Sequence, residues 1–257
     1  MTDISADSLR RFHTNEGADV SVVILPHAGG AASYYYRLSE ALSEHFQVFA
    51  VQYPGRHDRR RESMPRSLYA LAADIHADIE RRAPGQVVLF GHSMGSAVAY
   101  EIASRWSDSD AARLLGVFVS ARVAPSVEWT LPDVRSTDAA ITEMTALGGT
   151  DVRVMDSDFL AAAVDVMRKD YGLLIDYQRN LEAVRNHEID YPIYALAPES
   201  DDRAPVAGMA RWEQHTARFD LRMFAGGHFY INDRIGAVVD YMRTSILSEV
   251  SGIGTQP

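Results

Sequence analysis

The sequence predicts an α/β fold, in which a mostly parallel central sheet is covered on both faces by helices. Short runs that are apolar throughout alternate with stretches whose apolar residues have helical spacing. Strands without polar alternation are buried on both faces, and parallel strands need helical crossovers between them. The 257 residues are enough for one domain with a single core. We therefore expect a single domain that spans residues 1–257.

Strand and helix segments alternate regularly through the first half of the chain. Residues 87–90, for example, are apolar throughout, whereas residues 67–82 carry their apolar side chains on one helical stripe. The predicted strands are 21–25, 47–51, 87–90 and 114–119, and the predicted helices are 35–44, 67–82 and 96–106. This order indicates neighbouring parallel strands joined by helices.

The alternation is interrupted in the middle of the chain. Residues 124–187 contain no apolar strand, but they contain two helical stretches, at 137–147 and 158–180. Strands return at 193–196 and 221–224, and helices at 206–216 and 235–247. An all-helical insertion in an α/β pattern is typical of a lid over a functional site. We therefore predict a lid insertion at about 124–187.

Composition excludes several classes of protein. The net charge of −10 argues against nucleic-acid binding, and no apolar run is long enough for a membrane span. The chain has no cysteine, which excludes disulfides, thiolate metal sites and a cysteine nucleophile. The polar, acidic first seven residues lack the features of a secretory leader. We expect a cytoplasmic monomer without a metal ion or cofactor.

A serine motif flanked by glycines marks the predicted nucleophile. Residues 91–95 read GHSMG and match the pattern G-x-S-x-G. The motif follows the predicted strand 87–90 and precedes a predicted helix, which is the strand-turn-helix setting of a nucleophile elbow. Glycines relieve crowding in this tight turn, and the helix N-terminus favours negative charge that develops nearby. We predict Ser93 as the nucleophile of a serine hydrolase of the α/β-hydrolase type.

A serine hydroxyl needs a base, and His228 is the histidine in the expected place. In this architecture the acid and then the histidine follow the serine along the chain. Residues 225–229 read AGGHF and follow the last predicted strand, and the two glycines let the loop carry the imidazole over the sheet. Histidines on helices and other loops are assigned surface or packing roles; they are His13, His45, His57, His76, His187 and His215.

The acid of the triad is expected in the loop after the strand 193–196. Its task is to fix the imidazole tautomer and to stabilise the imidazolium formed in the transition state. The loop offers three carboxylates, Glu199, Asp201 and Asp202. We favour Asp201 over Asp202 and place Glu199 third.

The oxyanion of the transition state needs two backbone N–H donors. One comes from the residue after the nucleophile, here Met94, and the other from the loop after an early strand. Residues 26–30 read PHAGG and follow the strand 21–25. The sequence therefore predicts Ala28 as the second donor.

Four motifs, in this order, resemble those of the type II thioesterases, which are discrete editing enzymes of polyketide and nonribosomal peptide assembly lines. The motifs are residues 26–30 (PHAGG), 53–56 (YPGR), 91–95 (GHSMG) and 226–229 (GGHF). The resemblance extends from about residue 21 to residue 247. It implies hydrolysis of acyl thioesters on the phosphopantetheine arm of carrier proteins, which removes stalled or aberrant acyl units.

The resemblance also bears on the triad and on the partners. It implies Ser93 as nucleophile and His228 as base. It aligns Asp201 with the family aspartate, while Asp202 stands where the family usually has proline. The implied partners are acyl carrier protein domains of a polyketide synthase or a nonribosomal peptide synthetase.

An arginine-rich stretch reverses the acidic balance locally. Residues 56–66 contain five arginines and follow the strand 47–51, at the sheet edge where ligands bind in open α/β folds. Arginine suits both an acidic carrier protein and the phosphodiester of its arm. One hypothesis is that Arg59, Arg60 and Arg61 help to dock the carrier; the alternative is a solvated loop with internal ion pairs.

Two other functions remain open on the sequence. A general serine esterase or lipase that acts on oxygen esters would use the same triad. A non-catalytic module that binds carrier proteins would need neither Ser93 nor His228, so their presence favours an enzyme.

Overall fold

The computed structural model describes residues 7–83, 85–107, 109–147, 155–180 and 187–252. Within them a seven-stranded sheet has the order β1-β3-β2-β4-β5-β6-β7. Only β1 is antiparallel to its neighbour, β3, among the described strands. The strands are β1 Leu9–Arg10, β2 Val20–Leu25, β3 Gln47–Val51, β4 Gly85–His92, β5 Ala112–Ser120, β6 Ile193–Pro198 and β7 Phe219–Phe224. The predicted, mostly parallel α/β fold is confirmed.

Helices cover both faces of the sheet. The helices are α1 Tyr36–Ser43, α2 Leu68–Arg82, α3 Met94–Ala103, α4 Thr137–Leu147, α5 Ser157–Arg179, α6 Val206–Ala210 and α7 Ile235–Gly252. Alternate residues of the same strands face opposite layers: Val23 and Leu25 pack with α2 and α3, whereas Val22 and Ile24 pack with α1 and α7. Burial on both faces explains why these strands are apolar throughout.

The parallel register brings the carboxyl ends of the strands to one edge. β4 lies between β2 and β5, with Leu25 opposite Gly91 and His92 opposite Ser120. The segments that follow β2, β3, β4, β5, β6 and β7 therefore emerge at this edge, where ligands bind in open α/β sheets.

Helices α4 and α5 lie between β5 and β6 in the chain, within the segment predicted to be a lid. They share a small apolar cluster with the segment before α4; its buried members are Val134, Ala140, Val164, Met167 and Tyr171. Residues 148–154 and 181–186 of the predicted insertion lie outside the described residues. No helix among the described residues is long and apolar enough to cross a membrane.

Candidate active site

The turn between β4 and α3 holds Ser93 in a strained conformation. Its φ of +54° is in the left-handed region, which is costly for a non-glycine residue. A Cβ at Gly91 would lie 2.2 Å from the carbonyl oxygen of Gly95, and a Cβ at Gly95 would lie 1.9 Å from that of Leu25. Only glycine fits at these two positions, so the motif is dictated by the close approach of the backbone.

Hydrogen bonds from neighbouring serines secure this turn. The Ser93 N–H donates to the Ser120 carbonyl at 2.8 Å. The Ser96 hydroxyl lies 2.9 Å from the Gly91 carbonyl and 3.0 Å from the Ser120 carbonyl. These contacts fix the end of β4 against the end of β5, so the strained residue has a rigid support.

His228 and Asp201 form a hydrogen-bonded pair. The His228 Nδ1 lies 2.7 Å from Asp201 Oδ2, and both side chains are buried. Asp201 Oδ1 accepts the Arg203 backbone N–H at 2.9 Å. Asp202 and Glu199 are exposed. The geometry thus pairs the imidazole with the first of the two adjacent aspartates, which leaves Nε2 as the ring nitrogen available for a serine hydroxyl.

Backbone contacts bring the acid loop and the histidine loop together. Glu199 N–H donates to the Phe224 carbonyl at 2.9 Å, and Ser200 N–H donates to the Gly226 carbonyl at 3.0 Å. Gly226 has a φ of +131°, a conformation that side chains rarely adopt. The glycine therefore allows the tight turn that carries His228 beside Asp201.

Ser93 and His228 line one cavity with the predicted oxyanion loop. A cavity of about 20 Å³ is bounded by Ser93, His228 and Ala28, together with Phe229 and residues of the helical insertion. The insertion contributes Trp129, Pro132, Glu143, Leu147, Tyr171 and Leu174. Its mostly apolar lining suits an acyl chain, and its volume leaves room for about one water molecule. Met94, the other predicted donor, is the first residue of α3 and is buried.

Two buried histidines lie beside the pair. Burial, followed by the charges of His228 and Arg56, lowers the pKa of His27 to about 3. Burial also lowers the pKa of His92, and His228 adds to the effect. The rings of His27 and His92 lie 6.0 Å apart and touch Phe229. Both are neutral at physiological pH, which surrounds His228 with uncharged rings.

The helical insertion places two charged groups near the cavity, and the sequence did not predict either of them. Glu143 on α4 accepts the Tyr171 hydroxyl at 3.0 Å and pairs with Arg203 from the acid loop. Asp170 on α5 is fully buried and bonds to Arg56 and to the Gly29 N–H. Asp170 follows Met167 by three residues on the buried stripe of α5. The sequence feature that could have identified Asp170 is a carboxylate on the apolar stripe of a helix, since a buried carboxylate needs a partner.

The arginines of the predicted docking cluster have different environments. Arg59 is buried, and its guanidinium bonds to the Glu62 carboxylate and, at 2.7 Å, to the Gln52 carbonyl. Arg60 and Arg61 are exposed. Arg59 therefore has a local structural contact, whereas Arg60 and Arg61 present their charges at the surface.

One group of side chains has ligand atoms close enough to hold a metal ion. These atoms of His76, Glu80 and Asp110 lie within 4.8 Å of one another. Glu80 already accepts the backbone N–H of Ala111 at 2.6 Å. The group belongs to α2 and the segment before β5, away from the cavity of Ser93, so it has no part in the chemistry at that cavity.

Comparisons with known proteins identify relatives over nearly the whole chain. The thioesterase domain family profile matches residues 21–246. The chain is 39% identical over 246 residues to the thioesterase PikA5 of Streptomyces venezuelae, which covers 91% of this chain and 85% of that protein.

Two solved structures are similar in both sequence and fold. The type II thioesterase BorB from the borrelidin biosynthetic cluster has a TM-score of 0.80 at 32% identity, covering 94% of this chain and 98% of that one. RedJ, a thioesterase from the prodiginine pathway of Streptomyces coelicolor, has a TM-score of 0.78 at 29% identity, covering 89% of this chain and 86% of that one.

Proposed function

The chain belongs to the thioesterase domain family, and on that premise we propose that it hydrolyses acyl thioesters on the phosphopantetheine arm of carrier proteins. The resemblance to type II thioesterases is confirmed by the similarity to BorB, which is described as a type II thioesterase. The proposed substrates are stalled or aberrant acyl units of a polyketide or nonribosomal peptide assembly line. The observation that carries the proposal is the cavity shared by Ser93, His228 and Ala28, with the His228–Asp201 hydrogen bond behind it.

The proposed acylation step uses Ser93, His228 and the two backbone donors. His228 Nε2 removes the proton from the Ser93 hydroxyl as Oγ attacks the thioester carbonyl carbon. Backbone N–H groups of Ala28 and Met94 donate to the oxyanion. The carbon–sulfur bond then breaks, the proton passes from His228 to the departing sulfur, and the acyl group remains on Ser93 as an ester.

Deacylation repeats the sequence with water. His228 removes a proton from the water as its oxygen attacks the acyl-serine carbonyl, and returns a proton to Ser93 Oγ as the carboxylic acid leaves. Asp201 accepts a hydrogen bond from His228 Nδ1 and stabilises the transient imidazolium. The neutral state of His27 keeps a second positive charge away from that imidazolium.

Hydrolysis of acyl-carrier proteins by matched variants tests the proposal. We expect Ser93→Ala to lower kcat by about 10⁶-fold and to abolish labelling by a fluorophosphonate. We expect Asp201→Asn to lower kcat by about 10⁴-fold, because the imidazole loses its orienting acid. Asp202→Asn, the adjacent control, should stay within about twofold of wild type, since this carboxylate is exposed and His228 Nδ1 bonds to Asp201.

The substrate class is tested by the same assay with other acyl donors. Thioesters of pantetheine and matched oxygen esters are compared with the acyl-carrier protein. A higher kcat/KM for the carrier-bound thioester supports the proposal. Equal or faster cleavage of the oxygen esters would instead support a general esterase.

A further inference from the structure

Asp170 joins the helical insertion to the predicted oxyanion loop. It lies on α5, is fully buried, and its Oδ2 accepts the Gly29 backbone N–H at 2.7 Å. Gly29 follows Ala28, the proposed oxyanion donor, and is 141 positions away from Asp170 in the chain. A single carboxylate of the insertion thus holds the loop on which transition-state stabilisation depends.

Arg56 completes the connection from the opposite side. Its Nη2 donates to Asp170 Oδ1 at 2.7 Å, and its Nη1 donates to Asp170 Oδ2 at 2.9 Å. The same Nη1 donates to the Gly30 carbonyl at 2.8 Å. Arg56 and Asp170 together therefore hold the N–H of Gly29 and the carbonyl of Gly30.

Further contacts fix the position of Arg56 itself. Its guanidinium lies 5.2 Å from the centre of the Tyr53 ring, and the Tyr53 hydroxyl donates to the Pro26 carbonyl at 3.0 Å. The Gly30 N–H donates to the His27 carbonyl at 3.0 Å, which closes the loop on itself. Tyr53 thus holds the first residue of the loop 26–30, and the ion pair of Arg56 and Asp170 holds its last two residues.

The Gly29 hydrogen bond sets the direction of the neighbouring donor. The Gly29 N–H belongs to the peptide plane that joins Ala28 to Gly29, and this plane is rigid. Gly29 has a φ of +79°, so the chain turns sharply at that point. Loss of the acceptor would free the plane to rotate and would change the ψ angle of Ala28. The Gly30 N–H would move with it and release the His27 carbonyl, which shares a peptide plane with the Ala28 N–H, so the Ala28 N–H would lose its fixed aim toward the oxyanion.

We infer that Asp170, held by Arg56, is a positioning residue for the oxyanion loop, and that helix α5 must be docked for the site to be competent in catalysis. The inference rests on the proposed role of Ala28 as an oxyanion donor. The pair does not touch the reacting atoms. It acts through the Gly29 peptide, and it couples the position of the insertion to the chemical step.

A double variant separates this role from a purely structural one. Arg56→Met together with Asp170→Leu replaces a buried ion pair by apolar side chains, a change that is often neutral for stability. It also removes the acceptor of the Gly29 N–H. With hexanoyl-pantetheine we expect kcat to fall about 10- to 100-fold, as for a misplaced oxyanion donor, with KM within about threefold of wild type. The melting temperature should stay close to that of wild type.

A tetrahedral inhibitor gives a readout that a loss of stability would not move. A trifluoromethyl ketone analogue of hexanoyl-pantetheine is measured against wild type, the double variant and the milder Asp170→Asn variant. Its inhibition constant should rise by the same factor by which kcat/KM falls. Hexanoyl-pantetheine itself should bind equally well to the Ser93→Ala protein with and without the double substitution.

A control on the same helix excludes a general effect of α5. Asp176→Asn removes an exposed carboxylate that pairs with Arg179, and it should leave kcat and the inhibition constant unchanged. The inference is overturned if the double variant keeps the wild-type kcat, or if kcat falls in either variant without a matching change in the inhibition constant. Failure of wild-type protein to cleave any thioester would instead reject the proposed function, so the two failures are distinguishable.

Discussion

At the scale of single residues, the environment of His27 explains why this ring stays neutral beside the His228–Asp201 pair. The Tyr35 hydroxyl lies 2.8 Å from His27 Nδ1, and the His27 backbone N–H donates to that hydroxyl at 3.2 Å. The hydroxyl can therefore donate a hydrogen bond to Nδ1, and the proton of the neutral imidazole then lies on Nε2. Burial is the largest effect that opposes a second proton, followed by the electrostatic effects of His228 and Arg56.

The lowered pKa of His27, about 3, predicts a stability that depends on pH. The unfolded chain binds this proton near pH 6.5 and the folded protein does not, so stability is lost as pH falls from about 6.5 toward 3. Between pH 7.5 and pH 5 this one group should lower the free energy of unfolding by about 2 kcal/mol. Urea unfolding of wild type and His27→Gln across this range measures the difference.

The glutamine variant is the control because it keeps an acceptor for the Tyr35 hydroxyl but cannot titrate. Its free energy of unfolding should fall less steeply with decreasing pH than that of wild type, by the same 2 kcal/mol. His92 is present in both proteins, and burial, the largest cause of its lowered pKa, is the same in both. Parallel curves for the two proteins would contradict the assignment of a neutral, buried His27.

At the scale of elements, Gly95 is crowded and Gly172 has free space around it, so we expect opposite effects when each is replaced by alanine. Gly95→Ala would push a Cβ into the Leu25 carbonyl, a backbone atom that cannot move away, so we expect a loss of about 3 kcal/mol or more. Gly172 lies inside α5 with no atom within 4 Å of an added Cβ. Gly172→Ala should therefore stabilise the protein by about 0.5–1 kcal/mol through helix propensity. Urea unfolding checks both values, and a stabilising Gly95→Ala would contradict the geometry of the elbow.

The sequence predicted best those elements whose residues form a recognisable pattern within the element itself. The strand at residues 47–51 was predicted with its observed bounds, because burial on both faces demands a continuous apolar run. Strand β1 was missed, since two residues form no pattern. The helix predicted at 206–216 is an α-helix only to Ala210, and a 3-10 helix follows. In that tighter turn, residues three apart share a face, and both Trp212 and His215 are buried.

At the scale of the whole molecule, the site joins groups that are distant in the sequence. The elbow and the histidine loop could be predicted because glycines mark their turns locally. The ion pair of Arg56 and Asp170 could not, since 114 positions separate its members and the arginine belongs to a stretch with many charges. A charge-rich stretch is typical of surface loops, and only tertiary packing reveals which of its arginines are buried. The sequence favoured Asp201 over Asp202 but could not show the contact across two loops that pairs Asp201 with His228.

The distribution of charge over the whole molecule yields the last prediction. Arg60 and Arg61 are exposed and follow β3 at the edge of the sheet that holds the cavity. Arg113 and Arg218 lie at the amino ends of β5 and β7, at the opposite edge. At an ionic strength of 0.15 M, exposed charges more than about 8 Å apart are largely screened from one another. The position of an arginine should therefore affect carrier binding more than the net charge of −10 does.

Two double reversals with the same net charge therefore separate docking from overall repulsion. Arg60→Glu with Arg61→Glu should raise KM for an acyl-carrier protein by about tenfold and leave KM for the matching acyl-pantetheine unchanged. Arg113→Glu with Arg218→Glu should change neither value by more than about twofold, because this edge faces away from the cavity. Equal effects of the two reversals on KM for the acyl-carrier protein would show that carrier binding depends only on the overall charge. An equal loss on carrier and pantetheine substrates would reject docking at Arg60 and Arg61, because a docking surface cannot affect a substrate that has no carrier protein.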